Sequence, residues 1–347
     1  MGTTPEISIV TPTLNSANTL EKVLQSVKRQ SFPKRKIEVL IVDGGSTDNT
    51  IKIARRYRCK IIPNPKVGIM EAEQLGYLAA KGKYLVGLAP DEVLENPKSL
   101  ELKYKAMKTH PQVKAVLPTG YKSPDDHHPI NNYINEFGDP FSYFMYRDSK
   151  GYQYLSRNLE KKYGKFYEDQ NCAVFSFINF RQLPLIELWA GGCMIDLAFV
   201  KSQLPQVQKD LHLIPLIFYL LIQKGSLLAV TKNDPTVHYS AGSIRKYLKK
   251  IRSRVEYNIF LTSMGKGGYS GRQHFDPPLM KFKKYLFVPY SFSLIFPLFD
   301  SLYLAWTRKT SIYLLHLFLC IYTSILIIYF FLIKSFNIGH SIKLYGH

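Results

Sequence analysis

Two short stretches decide the fold: ISIVTPTLN at residues 7–15 and VDGGSTDNT at residues 42–50. The first opens with the apolar, β-branched run 7–11, and the second closes the apolar run IEVLIV at 37–42. Near-continuous apolar character is typical of strands that are covered on both faces. Each stretch therefore predicts a buried strand that ends in a polar loop.

The segment between these strands predicts a helix. Asn18-Thr19-Leu20-Glu21 has the spacing of a capping box, and apolar residues continue beyond it at helical intervals. Further along, the pattern predicts helices at 46–57 and 72–81 and strands at 59–62, 84–88 and 114–117. This alternation indicates βαβ units and a mostly parallel, Rossmann-like sheet flanked by helices, an α/β fold. Ligands of such sheets bind at the carboxyl ends of the strands, here the loops 11–14, 43–48 and 89–92.

The same loops carry a family resemblance. TPTLN, VDGGSTDNT, the run GIMEAEQLG at 68–76 and the strand GKYLVGL at 82–88 resemble glycosyltransferase family 2. The resemblance covers residues 5–97 well and 180–255 loosely. It implies a GT-A nucleotide-diphospho-sugar transferase fold. It also implies an enzyme of the hexosyltransferase type, which transfers a sugar from a nucleotide-diphospho-sugar donor, normally with inversion.

The donor site follows from the resemblance. Asp43 matches the family's aspartate that contacts the nucleotide base or ribose, and Thr11 and Pro12 line the same pocket by analogy. Asp91 is expected to contact the ribose or a metal ion. An aspartate before two glycines is also a common turn residue or helix cap, so Asp43 has an alternative structural role.

A divalent cation is expected near the donor diphosphate. Mg²⁺ and Mn²⁺ prefer oxygen ligands, so we expect carboxylates close to the phosphates. The family's Asp-x-Asp metal motif follows the strand at 84–88, where this chain has Ala89-Pro90-Asp91-Glu92 and lacks the first acid. Asp91 and Glu92 remain candidate ligands, the alternative being acids that cap a loop. The resemblance adds His238, which many relatives place so that it points at the diphosphate or metal.

The segments expected on the acceptor side match the family pattern less closely than the donor-side motifs do. Gly191 and Gly192 resemble the glycine segment that enters a strand beside the acceptor, although a plain glycine turn fits equally well. An acidic pair is expected before the helix predicted at 213–224, but Ile214 and Pro215 occupy that place. Asp210 is therefore the candidate general base, with a helix-start carboxylate as the alternative. Glu73 also stands where many relatives carry a basic residue.

Composition narrows the class of protein. The chain has 347 residues, is 46% hydrophobic and has a formal net charge of +20. It is too apolar for a disordered chain, and its four scattered cysteines indicate neither a disulfide framework nor a structural zinc site. Such a charge calls for an anionic partner: a nucleic acid, phosphate-bearing substrates or an anionic membrane surface. Without a recognisable nucleic-acid-binding motif, we expect no nucleic-acid partner.

The position of the charge favours a membrane. Residues 241–284 hold 11 Lys and Arg against two acids, and the helix predicted at 242–261 has one apolar stripe among basic residues. Residues 312–333 contain no Asp, Glu, Lys or Arg. A helix of that length rises about 33 Å and can cross a bilayer core of roughly 30 Å. The pattern predicts a basic amphipathic helix on anionic headgroups, then a transmembrane helix; an ordinary surface helix and a core helix are the alternatives.

The predicted organisation has three parts. Residues 1–240 form the GT-A catalytic domain with an insert or acceptor region at 120–181, residues 241–284 a membrane-surface region, and residues 285–347 one or two membrane segments. The predicted protein is an inverting glycosyltransferase at the cell membrane. Its catalytic domain would face the cytosol and its acceptor would be a lipid-linked or cell-envelope glycan. The alternative is a catalytically degenerate family 2-like membrane scaffold or sugar-nucleotide-binding protein.

Overall fold

The computed structural model describes residues 4–261 and 269–340 and divides the chain into two compact units. The N-terminal unit contains the described residues up to Pro124 together with Lys150–Tyr239. The helical unit contains Asp125–Ser149 and the described residues from Ser240 onward. The segment 120–181, predicted as one insert, is thus shared between the two units. The predicted regions 241–284 and 285–347 lie partly outside the described residues.

The strands belong to the N-terminal unit. In chain order they are β1 (Ile7–Thr13), β2 (Ile37–Asp43), β3 (Lys60–Pro63), β4 (Tyr84–Gly87), β5 (Glu92–Leu94), β6 (Val113–Leu117), β7 (Gly120–Lys122), β8 (Tyr167–Glu168), β9 (Cys172–Phe175), β10 (Cys193–Asp196), β11 (Leu227–Thr231) and β12 (Pro235–His238).

The helices occur in both units. They are α1 (Ala17–Lys28), α2 (Thr50–Arg56), α3 (Ile69–Ala79), α4 (Ser99–Thr109), α5 (Ile130–Phe137), α6 (Pro140–Tyr146), α7 (Leu155–Tyr163), α8 (Leu197–Gln203), α9 (Gln206–Lys209), α10 (Ile217–Gln223), α11 (Ile244–Phe260), α12 (Tyr269–Arg272), α13 (Pro278–Lys283), α14 (Phe287–Phe292), α15 (Ile295–Arg308) and α16 (Leu315–Ser335).

Nine strands form one mixed sheet in the order β3-β2-β1-β4-β10-β6-β11-β9-β8. Strands β1 to β4 pair in parallel, as the alternating pattern predicts, and β10 runs antiparallel between β4 and β6. The apolar residues of β1 and β4, including Ile7, Ile9 and Val86, are fully buried. The parallel half of the sheet is therefore covered on both faces and presents the carboxyl ends of β1, β2 and β4 at one edge.

A second sheet of three strands, β5-β12-β7, stands beside the loop that follows β4. The turn into β12 is fixed by a buried ion pair, in which Lys103 Nζ lies 2.7 Å from Asp234 Oδ2. Thr231 Oγ1 donates to the same carboxylate at 2.8 Å. A buried charge pair with additional hydrogen bonds tolerates little displacement, so it holds the start of β12 in place.

Two local predictions are wrong. Helix α1 begins at Ala17 after Ser16, so Asn18 lies inside the helix and forms no capping box with Glu21. The helix predicted at 213–224 begins as a 3₁₀ segment, Leu211–Leu216, and becomes α-helical only at Ile217. Pro215 lies inside the 3₁₀ segment, and its missing amide hydrogen explains the late start of the regular helix.

The helical unit packs around α16. Its core includes Tyr133, Phe137, Tyr247, Leu319 and Phe330, which come from α5, α11 and α16. The apolar stripe of α11 is part of this core: Tyr247 and Ile251 are buried, and its other apolar residues pack against the same cluster. The stripe predicted to face lipid headgroups is thus covered by protein, while basic side chains such as Arg245 and Lys249 stay exposed.

Candidate active site

The loops after β1, β2 and β3 meet at the carboxyl edge of the sheet. Gly44 N donates to Thr13 O at 2.9 Å, and Asn64 N donates to Asp43 O at 2.7 Å. A Cβ atom on Gly44 would lie 3.4 Å from the Val67 side chain, so the loop after β3 also closes on the loop after β2. The parallel strands bring these loops together at the carboxyl edge of the sheet. Nucleotides bind at this edge in open α/β sheets.

Asp43 organises its own loop. Its carboxylate accepts hydrogen bonds from Gly45 N at 2.9 Å, Ser46 N at 2.8 Å, Ser46 Oγ at 2.5 Å and Thr13 Oγ1 at 3.0 Å. Only 7% of the residue is exposed. The turn role that the sequence left as the alternative is present in the structure. Binding of a nucleotide by Asp43 stays a prediction.

Thr11 and Pro12 lie near the end of β1. Thr11 is 1% exposed, and its Oγ1 is a buried oxygen for which the described residues provide no hydrogen-bond partner. Pro12 is partly exposed. Both residues precede the Thr13–Asp43 contact, so they lie at the edge where the predicted donor pocket belongs. Their contact with a nucleotide also stays a prediction.

Asp91 and His238 are brought together by the small sheet. His238 Nε2 lies 3.5 Å from Asp91 Oδ2, and the two side chains keep exposed fractions of 17% and 28%. Tyr239 N donates to Asp91 O at 2.9 Å, which anchors the loop after β4 to the end of β12. The ring of Tyr121, on β7, packs against the His238 imidazole with 5.1 Å between centroids. A carboxylate and an imidazole separated by 147 residues of sequence thus share one partly exposed site.

Glu92 faces the protein interior. It pairs with His238 across β5 and β12 and is 1% exposed. Its Oε2 accepts from Ala89 N at 2.8 Å and Gly191 N at 2.7 Å, and its Oε1 accepts from Tyr121 Oη at 2.9 Å. Burial raises the pKa of Glu92. His238 opposes this rise in pKa, and the charge of Asp91 adds to it. Both carboxylate oxygens are therefore engaged by protein donors, and binding of a metal by Glu92 stays a prediction.

The Gly191-Gly192 turn is held from three sides. Besides the Glu92 contact, Gly192 N donates to Gly87 O at 3.0 Å, and Gly191 O accepts from Thr236 Oγ1 at 2.6 Å. Both glycines have positive φ angles, 74° and 71°. A Cβ atom on Gly191 would lie 3.0 Å from Tyr121 Oη. Glycine is required here because the turn combines left-handed backbone with close packing.

Asp210 is exposed and begins the 3₁₀ segment. Its Oδ1 accepts from His212 N at 2.9 Å, which is the helix-start role that the sequence left as its alternative. Glu73 lies on α3 and is partly buried; burial raises its pKa to about 8, and the charge of Glu187 adds to the rise. A carboxyl group with a pKa near neutrality is a candidate functional group, although structural carboxylates show such shifts too.

Three residues of this site were missed from the sequence: Tyr121, Thr236 and Asn64. Tyr121 and Thr236 lie on short strands of the second sheet, whose pairing depends on contacts distant in sequence. Asn64 donates through Nδ2 to Gly68 O at 2.9 Å and supports the loop after β3. An asparagine two residues after a predicted strand, following Pro63, is a signal that could have identified it as a loop-forming residue.

Comparisons with known proteins identify the family and the fold of the chain. The profile of the family described as Glycosyl transferase family 2 matches residues 8–183, which is just over half of the chain. The chain belongs to glycosyl transferase family 2. It is 40% identical over 79 residues to Glycosyltransferase AglE from Haloferax volcanii, a match covering 23% of this chain and 25% of AglE. The chain thus aligns with only a quarter of that relative's length.

A longer match has lower identity. The chain is 23% identical over 259 residues to a dolichyl N-acetyl-α-D-glucosaminyl phosphate 3-β-D-2,3-diacetamido-2,3-dideoxy-β-D-glucuronosyltransferase from Methanococcus voltae, covering 71% of each protein. Among solved structures, it resembles the mannosyltransferase PcManGT from Pyrobaculum calidifontis, solved with GDP-Man and Mn²⁺. That likeness has a TM-score of 0.54 at 15% identity and covers 97% of this chain and 89% of PcManGT. The fold is the GT-A fold that the sequence predicts.

Proposed function

We propose that this chain transfers a hexose from a nucleotide-diphospho-sugar to a hydroxyl group of a lipid-linked or cell-envelope glycan, with inversion, at the cytosolic face of the membrane. The observation that carries the proposal is the 3.5 Å approach of Asp91 Oδ2 and His238 Nε2 beside the carboxyl edge of the sheet. Family membership supplies the reaction class, and the paired side chains would hold the cation that binds the donor diphosphate.

The donor would bind over the loops after β1 and β2. Thr11 and Pro12 would line the pocket of the base and ribose, Pro12 through its partly exposed ring and Thr11 from the buried end of β1. Asp43 would shape the pocket and offer its carboxylate edge to the nucleotide. Because its oxygens already accept four hydrogen bonds, its main contribution would be to hold the loop in a binding conformation.

Asp91 and His238 fit a divalent cation. One carboxylate and one imidazole are a donor set that Mn²⁺ accepts, with phosphate oxygens and water completing the shell; Mg²⁺ would rely more on Asp91. Bound there, the cation would neutralise charge that develops on the leaving nucleoside diphosphate. Glu92 was predicted as a third ligand. We propose instead that it orients the site by binding Gly191 N and Tyr121 Oη.

Inversion of the anomeric configuration requires a single displacement at the anomeric carbon. The acceptor oxygen would form a bond to the anomeric carbon while the bond to the diphosphate oxygen breaks on the opposite face. The hydroxyl proton must pass to a base. Asp210 stays the predicted acceptor of that proton: it is exposed, but it also caps the 3₁₀ segment.

Membrane association is supported by the helical unit. The helix Ser311–Ser335 is long and apolar enough to cross a membrane by length and composition, although core helices of soluble proteins satisfy the same criterion. The exposed basic residues of α11 would add attraction to anionic lipids, about 1 kcal/mol for each Lys or Arg close to the surface. A cytosolic catalytic face follows from the proposed donor, since nucleotide sugars are made in the cytosol.

The proposal is tested with the purified full chain and a panel of nucleotide sugars in the presence of Mn²⁺ or Mg²⁺. Release of nucleoside diphosphate is measured for wild type, Asp91→Asn and the control Glu95→Gln, whose exposed side chain pairs with Lys122. We expect Asp91→Asn to lose at least about a hundredfold in rate, in line with the loss of an electrostatic stabiliser of the leaving group. Equal rates in both variants would contradict the proposal.

A catalytically degenerate sugar-nucleotide binder or membrane scaffold is the second candidate. Two observations favour it: both Glu92 oxygens are engaged by protein donors, and Asp210 caps its own segment. This candidate predicts nucleotide-sugar binding by calorimetry without hydrolysis or transfer under any metal condition. Measurable turnover that depends on Asp91 would eliminate it.

A further inference from the structure

Helix α15 carries its apolar residues outward. Ile295, Phe296, Phe299, Tyr303 and Trp306 are 55–78% exposed and fall on one helical stripe. The opposite face holds polar groups inside the unit. There Asp300 contacts Arg147 and Arg308 contacts Glu136, and these two residues of α15 are only 16% and 14% exposed. In water, a helix favours apolar residues on its buried face and polar residues on its exposed face. The opposite distribution on α15 indicates that its outer face contacts an apolar environment.

Helix α16 repeats the arrangement. Its polar side chains His316, Cys320, Thr323 and Ser324 are buried. Its outward side chains are apolar: Phe318, Ile325, Tyr329 and Leu332 are 47–52% exposed. The two helices pack together, and Leu317 N donates to Ser301 Oγ at 2.9 Å. The outward apolar side chains of α15 and α16 are called the insertion surface below.

The other side of α16 is covered by protein along the length of the helix. Near its start, Tyr133 Oη of α5 hydrogen-bonds to His316 Nδ1 at 2.5 Å. Further along, Tyr322 Oη donates to Leu248 O of α11 at 3.4 Å, and Lys334 Nζ contacts Ile259 O near the end of α11. Helices α11 and α16 therefore run side by side in the same direction over three turns.

That packing argues against a simple span through α16. A bilayer that surrounded α16 from 315 to 335 would also surround α11, whose outer face carries Arg245, Lys246, Lys249 and Arg252. Each such charge costs about 2.5–3.5 kcal/mol at the bilayer centre on insertion scales. A helix that lies along the interface has no such conflict, since one side contacts lipid and the other contacts protein.

The segment before α16 is also unsuited to crossing. Helix α15 has 14 residues and rises only about 21 Å, short of a hydrocarbon core of roughly 30 Å. It meets the preceding Pro278–Phe292 segment at a bend of 88°. Exposed apolar residues continue there, with Leu279 at 85% and Phe282 at 69%, next to Lys281 and Lys283. Apolar side chains flanked by lysines are typical of interfacial segments.

We propose that the helical unit inserts into one leaflet of an anionic membrane through its insertion surface and does not cross the bilayer. The end of the chain would then lie on the same side as the N-terminal unit. The inference refines the membrane part of the proposed function and rests on that part alone. The span predicted at 312–333 is the competing arrangement.

Topology is measured on liposomes of neutral and anionic phospholipid to which the purified full chain is added from outside. A protease site and an epitope tag are added after His347. The substitution Lys209→Cys, at an exposed position of the N-terminal unit, reports the orientation of that unit through labelling with a membrane-impermeant maleimide. We expect the tag to be cleaved equally in sealed and in detergent-opened liposomes. Protection of the tag in sealed liposomes, with Lys209→Cys fully labelled, would establish a span and overturn the proposal.

Insertion is measured separately by liposome flotation with Phe299→Glu and Trp306→Glu. Because both side chains are already exposed, neither change should impair folding, which circular dichroism checks. We expect each variant to bind at least about tenfold more weakly than wild type. The control Phe166→Glu, on an equally exposed residue of the N-terminal unit, should bind as wild type.

Two results would overturn the proposal. In the first, the variants bind liposomes as wild type does. In the second, the wild-type chain forms a dimer without lipid, does not bind liposomes, and is dissociated by Phe299→Glu. The second result would mean that a second copy of the chain covers this surface. Neither measurement involves sugar transfer. An inactive protein that still floats and exposes its tag would reject the proposed activity and leave the membrane inference standing.

Discussion

The backbone amide of Gly191 donates to Oε2 of Glu92 at 2.7 Å, which ties the turn before β10 to the loop after β4. The other oxygen of Glu92 accepts from Tyr121, whose ring packs against His238. One buried carboxylate thus links the donor-side pair Asp91 and His238 with the glycine turn. This linkage distinguishes two roles for Glu92, ligand or positioning residue, that the sequence could not separate.

Glu92→Gln is expected to keep Mn²⁺ affinity close to that of wild type, because both oxygens of Glu92 already accept hydrogen bonds from protein donors and glutamine still offers one oxygen. Glu92→Ala leaves Ala89 N and Gly191 N without their acceptor, and we expect it to lose about 1–3 kcal/mol of unfolding free energy. Mn²⁺ binding is measured by electron paramagnetic resonance, with Asp91→Asn for comparison. A tenfold loss of affinity in Glu92→Gln would restore Glu92 as a ligand.

The proton acceptor is tested with Asp210→Asn. Asparagine is as good an N-cap as aspartate, so the variant should keep its melting temperature within error. If Asp210 is the base, kcat falls by about 10²–10⁴-fold, while KM for the donor changes little. Asp210→Ala separates the two roles further, since it also removes the hydrogen bond to His212 N. An unchanged kcat in Asp210→Asn would assign the residue to the cap alone.

Glu73 gives a pH-dependent prediction. Its pKa is raised to about 8, so between its unfolded pKa near 4.5 and about 8 the folded chain holds a proton that the unfolded chain has released. The stability contributed by this group is therefore complete below pH 4.5 and is lost as the pH rises through 8. Glu73→Gln removes this dependence.

Melting temperatures of wild type and Glu73→Gln are compared from pH 5 to pH 9. We expect the melting temperature of the variant to increase relative to that of wild type as the pH rises. At pH values above 8 the difference should reach roughly 2–4 °C. Glu71→Gln, on the same helix, is the matched control for loss of a carboxylate from α3. A difference between Glu73→Gln and wild type that stays constant across the range would refute the raised pKa.

The parts of this fold that are local in sequence could be predicted, and the parts that depend on distant pairing could not. Apolar runs identify β1, β2 and β4, since strands covered on both faces need apolar residues at nearly every position. The small sheet was not predicted, because β5 and β7 have three residues each and are defined by partners far along the chain. Periodicity likewise found the apolar stripe of α11, but it could not show that α16 covers it.

The same distinction applies to the site. Asp91 could be named from the motif that follows the strand predicted at 84–88, and His238 from the resemblance alone. The orientation of Glu92 could not, because its partners, Gly191 and Tyr121, are distant in sequence. Asp91 lies in the turn before β5 and stays partly exposed, while the carboxylate of Glu92 is buried.

The close packing of Gly87 yields the last prediction. A Cβ atom on this residue of β4 would lie 2.6 Å from backbone atoms of Trp189, so Gly87→Ala must displace the segment that enters the Gly191-Gly192 turn. Gly225 is the control: its φ is +75°, yet a Cβ there meets nothing within 4 Å. Gly225→Ala should therefore lose only about 1–2 kcal/mol, the strain of left-handed backbone.

Gly87→Ala is expected to lose roughly 1–3 kcal/mol through overpacking and to lower kcat as well, because the displaced turn is bound to Glu92. Denaturant unfolding gives the stability of each variant, and donor hydrolysis gives kcat under conditions where both are folded. Since the two alanines lower stability by similar amounts, the activity difference isolates the position of the turn. Equal kcat values in Gly87→Ala and Gly225→Ala would show that the turn at Gly191 does not contribute to the reaction.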